Sequence, residues 1–132
     1  MKAYTTIEQS RKLAEILPIE SADMYYSHEF VNSAGDYFKL NIASEGYFDD
    51  EESLGSDVPY WSLASLLEQL PYEICDDDGN SAYLQIDKED DIYQLLYEDP
   101  HGDFDSIETD RHKHFVDACY ELVLKVHESN LL

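Results

Sequence analysis

Acidic side chains are the residues of this sequence most able to do chemistry, and two runs of them stand out. They are Asp49, Asp50, Glu51 and Glu52, and further along the chain Asp76, Asp77 and Asp78. The second run continues into Gly79 and Asn80, which raises the question of calcium binding. An EF-hand loop needs glycine at position six and an oxygen ligand at position one, but aligning Gly79 with position six places Ile74 at position one. The run therefore predicts a tight turn, in which Asp, Gly and Asn adopt left-handed backbone geometry.

The other candidate ligands and nucleophiles lack the spacing that their chemistry needs. The five histidines include no pair four residues apart, which is the spacing of a common zinc half-site on a helix. Cys75 and Cys119 each stand alone, and the chain has neither a nucleophile-elbow motif nor a glycine-rich phosphate-binding motif. We therefore expect no metal site, no cofactor and no enzyme activity, and we expect both thiols to be reduced and buried.

Aromatic residues beside the acids keep one enzymatic alternative open. A glycosidase-like hydrolase needs two carboxylates positioned in an aromatic-lined cleft, and Tyr60 and Trp61 are candidates to line it. If the same pair is exposed, it is a candidate anchor for a partner protein. Packing of Trp61 against the sheet, where it fixes the entry to a helix, is the structural alternative.

The charge distribution favours a binding protein over the hydrolase. The formal net charge is −22, and residues 45–110 hold 21 of the 30 acidic residues but only one basic residue, Lys88. So negative a surface repels nucleic-acid backbones and anionic membranes. We expect a basic protein partner that docks on the two acidic runs; a solvated face that only keeps the protein dispersed is the plainer interpretation. Crowding of these carboxylates predicts raised pKa values and a fold that gains stability on mild acidification.

Length and composition indicate one domain over residues 1–132. The 132 residues are 43% hydrophobic, which is enough apolar material to fold despite the charge. No apolar run approaches the roughly 20 residues of a membrane span, and the N-terminal residues do not resemble a signal peptide. The expected compartment is therefore the cytoplasm, and the oligomeric state stays open.

Hydrophobic periodicity predicts three amphipathic helices. The first begins at a capping box formed by Thr5 and Glu8 and ends at Pro18. The second spans about 61–70, with Ser62 as a candidate cap. The last has apolar residues at i, i+3, i+4, i+7, i+8 and i+11 and ends near residues 127–130. The members of this apolar stripe are Phe115, Ala118, Cys119, Leu122, Val123 and Val126.

Strand patterns fill the rest of the chain. Residues 25–31 and 37–42 form a predicted hairpin, and residues 72–87 form a second one around the turn at Gly79. Residues 90–98 fit a short helix or a strand, and we favour a strand; 44–57 and 99–110 are predicted acidic loops. The sequence thus predicts an α+β fold, with an antiparallel sheet of four to five strands and three helices packed mainly on one face.

Five parts of the sequence carry a resemblance: Tyr4–Leu13, Ala22–Tyr25, Val58–Leu63, Leu66–Glu68 with Leu70–Pro71, and Val116–Cys119 with the leucine-rich end. They resemble a family of small uncharacterised proteins from gut Bacteroidetes, often carried on prophages and other mobile elements. The resemblance covers both ends and the middle of the chain, is weakest between residues 87 and 114, and includes no catalytic motif. It implies an origin and no functional residues. Such an origin suits an acidic mimic that occupies the nucleic-acid site of a host protein.

Overall fold

The computed structural model describes the backbone of residues 2–31, 35–43 and 58–131, and the side chains of these residues outside 26–42. The predicted acidic loop 44–57, which contains Asp49, Asp50, Glu51 and Glu52, lies outside the described residues. The chain groups into two compact units. The N-terminal unit is Tyr4–Ser65, and the C-terminal unit is Leu66–Leu132 together with Met1–Ala3.

Helix α1 and a three-stranded antiparallel sheet form the N-terminal unit. Among the described strands the sheet has the order β2-β1-β3, so β3 lies at an edge and pairs with β1. This position explains how Pro59 fits into β3, because proline lacks the N–H that a central strand would need. The elements are α1 (Ile7–Ile16), a 3₁₀ turn (Ile19–Ser21), β1 (Met24–Val31), β2 (Gly35–Ile42) and β3 (Val58–Tyr60).

The cap of α1 lies one residue later than the sequence predicts. Thr6, rather than Thr5, accepts a hydrogen bond from the Gln9 N–H, and the Gln9 side chain accepts one in return from the Thr6 N–H. Thr5 is fully buried, and its hydroxyl group binds the Ser10 hydroxyl group and accepts the Trp61 N–H. A tertiary contact therefore decides between two neighbouring threonines that are equally able to cap.

The second predicted helix is shorter than expected and is capped as predicted. Helix α2 spans Leu63–Glu68. The Ser62 hydroxyl oxygen accepts a hydrogen bond from the Ser65 N–H, and Asp23 in turn holds Ser62 through both its N–H and its hydroxyl group. Residues 58–60 form β3, and Ser62 caps the helix, so α2 begins at Leu63.

A four-stranded antiparallel sheet and helix α3 form most of the C-terminal unit. The sheet has the order β4-β5-β6-β7. The hairpin around Gly79, the strand over 92–98 and the last helix are all present, so these three predictions are confirmed. The elements are β4 (Glu73–Cys75), β5 (Ser81–Glu89), β6 (Ile92–Glu98), β7 (Ile107–Glu108) and α3 (Phe115–Glu128).

Helix α3 covers one side of this sheet, which we call the inner side. Leu95 and Tyr97 of β6 are fully buried there, and Tyr93 meets Phe115 edge-on with ring centroids 5.0 Å apart. The Tyr97 hydroxyl group donates to the Pro71 carbonyl at 2.5 Å, so its burial leaves no unsatisfied donor. Five of the six predicted stripe residues are buried, whereas Phe115 is half-buried, and Val116 is buried in addition. The five are Ala118, Cys119, Leu122, Val123 and Val126.

The predicted α+β class with antiparallel strands is confirmed. The described strands form two sheets, of three and four strands, where the sequence predicts one sheet of four to five. The single domain over 1–132 stays a prediction, since the two units are defined here by their internal contacts alone. Among the helices within the described residues, none has the length and apolarity that crossing a membrane requires.

The turn between β5 and β6 holds two non-glycine residues in left-handed geometry. Asp90 and Asp91 have φ values of 49° and 62°, and they join Glu89 to Ile92 as a two-residue hairpin turn. Such turns favour Asn-Gly or Asp-Gly because glycine adopts positive φ without a steric cost. Two adjacent carboxylates add charge repulsion at the same place.

We expect Asp91→Gly to stabilise the protein by about 0.5–1 kcal/mol, because it removes one strained residue from the turn. Urea unfolding at pH 7 measures the change. Asp91→Asn is the control, since it removes the same charge and keeps a side chain at positive φ. If Asp91→Gly stabilises no more than Asp91→Asn does, backbone strain is not the cause.

Candidate functional site

Strand alternation collects carboxylates on the side of the C-terminal sheet opposite α3. Directly paired residues share one side of a sheet, and successive residues alternate between sides. Since Ala82, Leu95 and Tyr97 are buried on the inner side, the residues beside them in sequence point outward. The outward carboxylates are Glu73, Asp87, Glu89, Glu98 and Glu108, which together we call the acidic sheet face.

All five carboxylates of this face are exposed. Lys88 is the only basic residue in the four strands, and by alternation it belongs to the inner side. Arg111, beyond β7, approaches Glu89 with 3.4 Å between Nη1 and Oε2, and both side chains are more than half exposed. Such an exposed pair contributes little and leaves the face strongly negative.

One row across the sheet alternates acidic and aromatic side chains. Tyr83 of β5 pairs directly with Glu73 on one side and with Glu98 on the other. A hydrogen bond and charge repulsion from Glu73 raise the pKa of Tyr83, so its hydroxyl group keeps its proton. Tyr72, which is 72% exposed, lies against Tyr83 with 5.5 Å between the ring centroids. Aromatic rings beside carboxylates offer a cationic side chain both a π face and a counter-charge.

The predicted site at Asp76, Asp77 and Asp78 is a tight turn, as its Asp-Gly-Asn composition indicates. The Asp76 carboxylate accepts hydrogen bonds from the N–H groups of Asp78 and Asn80, at 3.0 and 2.8 Å, and from the Asn80 side chain. Desolvation raises the pKa of Asp76, but these hydrogen bonds outweigh it and the net shift is downward. Gly79 has φ +86°, as the turn requires. Asp77 and Asp78 are exposed, whereas Asp76 serves the fold.

Asp99 organises the predicted acidic loop that follows β6. Its two carboxylate oxygens accept three backbone N–H groups, from His101, Asp103 and Phe104, at 2.8–3.0 Å. The hydrogen bond from His101 is the largest influence, and together these bonds lower the pKa of Asp99 against the opposing effect of desolvation. The carboxylate is thus already committed to the backbone of its own loop.

Glu121 of α3 joins the helix to the chain that precedes it. His112 Nε2 lies 2.6 Å and Lys125 Nζ lies 3.1 Å from its carboxylate, and the Asp110 N–H donates to both oxygens. Burial raises the pKa of Glu121, but the hydrogen bonds from His112, Lys125 and Asp110 outweigh it, so the pKa lies below its usual value. Lys125 also donates to the Glu108 carbonyl, which ties β7 to the helix.

Asp76 and Asp99, which both lie within the acidic stretch 45–110, have pKa shifts opposite to the direction that crowding predicts. Asp76, Asp99 and Glu121 are all shifted downward, because hydrogen bonds favour the charged form. A carboxyl group whose pKa is lower in the folded state than in the unfolded state stabilises the fold at pH values above the unfolded-state pKa. This stabilisation is lost as the pH falls through the folded-state pKa. For these groups, acidification therefore destabilises the protein.

Tyr60 and Trp61 are not a surface anchor, because the exposure that this role requires is absent. Tyr60 is 2% exposed and Trp61 is fully buried. The Trp61 indole N–H donates to the Ser21 hydroxyl group at 2.9 Å, and its backbone exchanges two hydrogen bonds with Thr5. The structural alternative is therefore the observed one. The hydrolase alternative loses these two residues as the lining of its cleft.

The two thiols differ in exposure. Cys119 is fully buried by α3, as predicted, and burial raises its pKa to about 12. The prediction of burial is wrong for Cys75, which is exposed at the end of β4. Cys75 lies on the outward side of the sheet, two residues from Glu73, with 3.3 Å between its Sγ and the Ser81 hydroxyl oxygen. Neither cysteine forms a disulfide bond.

A groove lies near the acidic sheet face. It has a volume of about 420 Å³ at the far end of the β5–β6 hairpin and is lined by both carboxylates and isoleucines, with Asp87, Ile86 and Ile92 among them. Within the described residues, no three His, Cys, Asp or Glu side chains converge as a metal site would require.

The five residues of the acidic sheet face are the functional candidates that sequence reasoning does not assemble. They come from four strands and are separated by up to 35 positions, so no local run marks them. One signal is present in β5, where Asp87 and Glu89 alternate with Ile86 and Lys88.

Comparison of the chain with protein-family models, curated proteins and solved structures finds no significant match.

We expect Glu121→Gln to lower the free energy of unfolding by about 1–2 kcal/mol at pH 7, because the amide cannot accept all of the donors that surround the carboxylate. At pH 3, below the usual glutamate pKa, the loss shrinks as the wild-type carboxyl group itself protonates. Urea unfolding at both pH values measures the difference, with the exposed Glu128→Gln as control. An equal loss at pH 7 and pH 3 would show that the negative charge of Glu121 is not what stabilises the fold.

We expect the fluorescence of Trp61 to report its burial. It is the only tryptophan in the chain, so its emission is resolved without any substitution. In the native protein the emission should be blue-shifted and weakly quenched by acrylamide, and both properties should change on unfolding in urea. Quenching of the native protein as strong as that of the unfolded chain would contradict the burial of this side chain.

Proposed function

We propose that this chain is a non-catalytic binding protein whose acidic sheet face docks on a basic protein partner. The observation that carries the proposal is the placement of five exposed carboxylates on the side of one sheet opposite α3, with Lys88 on the other side. They are those of Glu73, Asp87, Glu89, Glu98 and Glu108, and their exposure makes them available to a partner. These carboxylates stay hydrated until the partner arrives, so the fold does not carry the cost of burying them.

The negative charge of the C-terminal unit lets this face attract a basic partner before the two proteins are in contact. This unit, residues 1–3 and 66–132, holds 18 acidic and five basic residues. Opposite charges on a partner are attracted over about 8–10 Å at physiological salt, which raises the association rate more than the final affinity. Tyr72 and Tyr83 supply the short-range contacts that a purely electrostatic surface lacks.

A nucleic-acid-binding protein is the partner class that we propose. Outward residues two apart on one strand, such as Asp87 and Glu89, are about 6.6 Å apart along the strand direction, and neighbouring strands are about 4.8 Å apart. A regular array of negative charges at this spacing attracts the same lysine and arginine clusters that bind a phosphate backbone. This proposal agrees with the mobile-element origin that the sequence resemblance implies.

Neutralising the acidic sheet face should slow the association with such a partner. In the variant Glu73→Gln, Asp87→Asn and Glu98→Gln, we expect the association rate at low salt to fall on the order of tenfold, with a smaller change in dissociation rate. The partner is obtained by affinity capture at low salt, and its association with purified wild-type and variant proteins is then followed by stopped-flow mixing as salt increases.

The matched control is Glu20→Gln, Glu68→Gln and Asp105→Asn, which neutralises three exposed carboxylates that do not belong to the acidic sheet face. Both triple variants have the same net charge, so a general effect of charge changes both equally. Equal rates for the two variants, or rates that do not depend on salt, would overturn the proposed docking face. If a DNA oligonucleotide fails to compete for the partner, the partner class is wrong while the face stands.

A further inference from the structure

The edge of β5 that faces away from β6 is open over half of its length. Strand β4 pairs with β5 only from Ser81 to Tyr83, and the next contact is the Leu84 N–H, which donates to the Tyr72 carbonyl at 2.8 Å. Beyond Leu84, no strand of the described residues pairs with this edge, although β5 continues to Glu89 and pairs with β6 on its other edge as far as its end.

The backbone groups that face this open edge follow from the alternation of β5. Leu84 directs its N–H toward the β4 side, so the N–H and C=O groups of Ile86 and Lys88 point to the same side. The outer edge of β6 differs, because it is occupied as far as Tyr93. Tyr93 exchanges two backbone hydrogen bonds with His112, at 2.7 and 2.8 Å, and Leu95 accepts one from the Thr109 N–H.

The surroundings of the open edge favour one kind of occupant. Residues 85–91 are all exposed, and the Ile86 side chain is 48% exposed. Four carboxylates lie here, on Asp87, Glu89, Asp90 and Asp91, and two cationic groups oppose them, those of Lys88 and Arg111. A second copy of this chain would bring the same carboxylates against themselves, which destabilises strand pairing. A basic segment would find opposite charge beside unpaired backbone groups.

We propose that the open edge of β5 receives an extended basic segment of the partner protein as an added strand. The proposal rests on the proposed function and specifies how the partner binds. Backbone hydrogen bonds to Ile86 and Lys88 fix the position of the segment, while lysine or arginine side chains on its outward side meet Asp87 and Glu89. The exposed Ile86 side chain supplies an apolar contact on the inner side.

Proline at position 88 tests the backbone contact apart from the charge. Because the Lys88 N–H points away from β6, Lys88→Pro removes an edge donor without removing a hydrogen bond of the β5–β6 ladder. Lys88→Thr is the matched control, since it removes the same positive charge and keeps the N–H. The probe is a nine-residue peptide of alternating lysine and threonine with blocked ends, and its Kd is measured by calorimetry at low salt.

We expect Lys88→Thr to bind the peptide at least as tightly as the wild-type protein, since the protein becomes more negative. Lys88→Pro should bind about tenfold more weakly than Lys88→Thr. Equal binding by both variants would overturn the added strand and leave the acidic sheet face untouched. Failure of the wild-type protein to bind the peptide would also overturn it, whereas the proposed function is decided separately by the two triple variants.

Peptides methylated on alternate backbone nitrogens give a second test. This test uses the wild-type protein, so its result does not depend on whether a variant folds. An added strand directs only one alternate set of its N–H groups toward β5. Methylation of that set should weaken binding to the wild-type protein about tenfold, and methylation of the other set should leave the Kd unchanged. Equal effects of the two methylations, or dimers of the protein alone in sedimentation velocity, would contradict the proposal.

Discussion

The packing of α3 against the inner side of the C-terminal sheet is the interaction on which the rest of this unit depends. Helix positions such as Val116 and Leu122, and strand positions such as Leu95 and Tyr97, are fully buried together. Burial of the helical stripe contributes roughly 10 kcal/mol before conformational entropy is subtracted. Once this side is fixed, the two-residue period of the strands determines where every other side chain points. The carboxylates of β4–β7 face outward as a consequence of the core.

The acidic residues of this chain serve two purposes that their hydrogen bonds distinguish. Asp23, Asp76 and Asp99 accept backbone N–H groups, and they replace the cap or turn contacts that loops otherwise lack. Asp87 and Glu98 lie on the outward side of the sheet, and no hydrogen bond from a backbone N–H group to their carboxylates is found within the described residues. Some of the negative charge therefore stabilises the fold, and some of it is available to bind a partner. The net charge alone does not distinguish the two groups of carboxylates.

Sequence periodicity predicts the C-terminal unit well, because α3 and the β4–β5 hairpin each follow one local pattern. It predicts the candidate site poorly, because Glu73 and Glu98 become neighbours of Tyr83 only after three strands pair. Consecutive acidic residues are easily noticed in a sequence. In the turn at 76–78, however, the carboxylate of Asp76 binds N–H groups of the turn itself and does not serve a partner. The misplaced cap at Thr5 has a similar origin, since its buried contact with Trp61 is not visible in the local sequence.

The division of β5 and β6 into an inner and an outer set of residues has an evolutionary consequence. Substitutions at outward positions, such as Gln85 or Gln94, leave the helix-packing surface unchanged, whereas the inward neighbours are constrained by volume. The two sets can therefore diverge at different rates under selection. A lineage that changes its target can rewrite one side of the sheet, every second residue, while the same core continues to specify the fold.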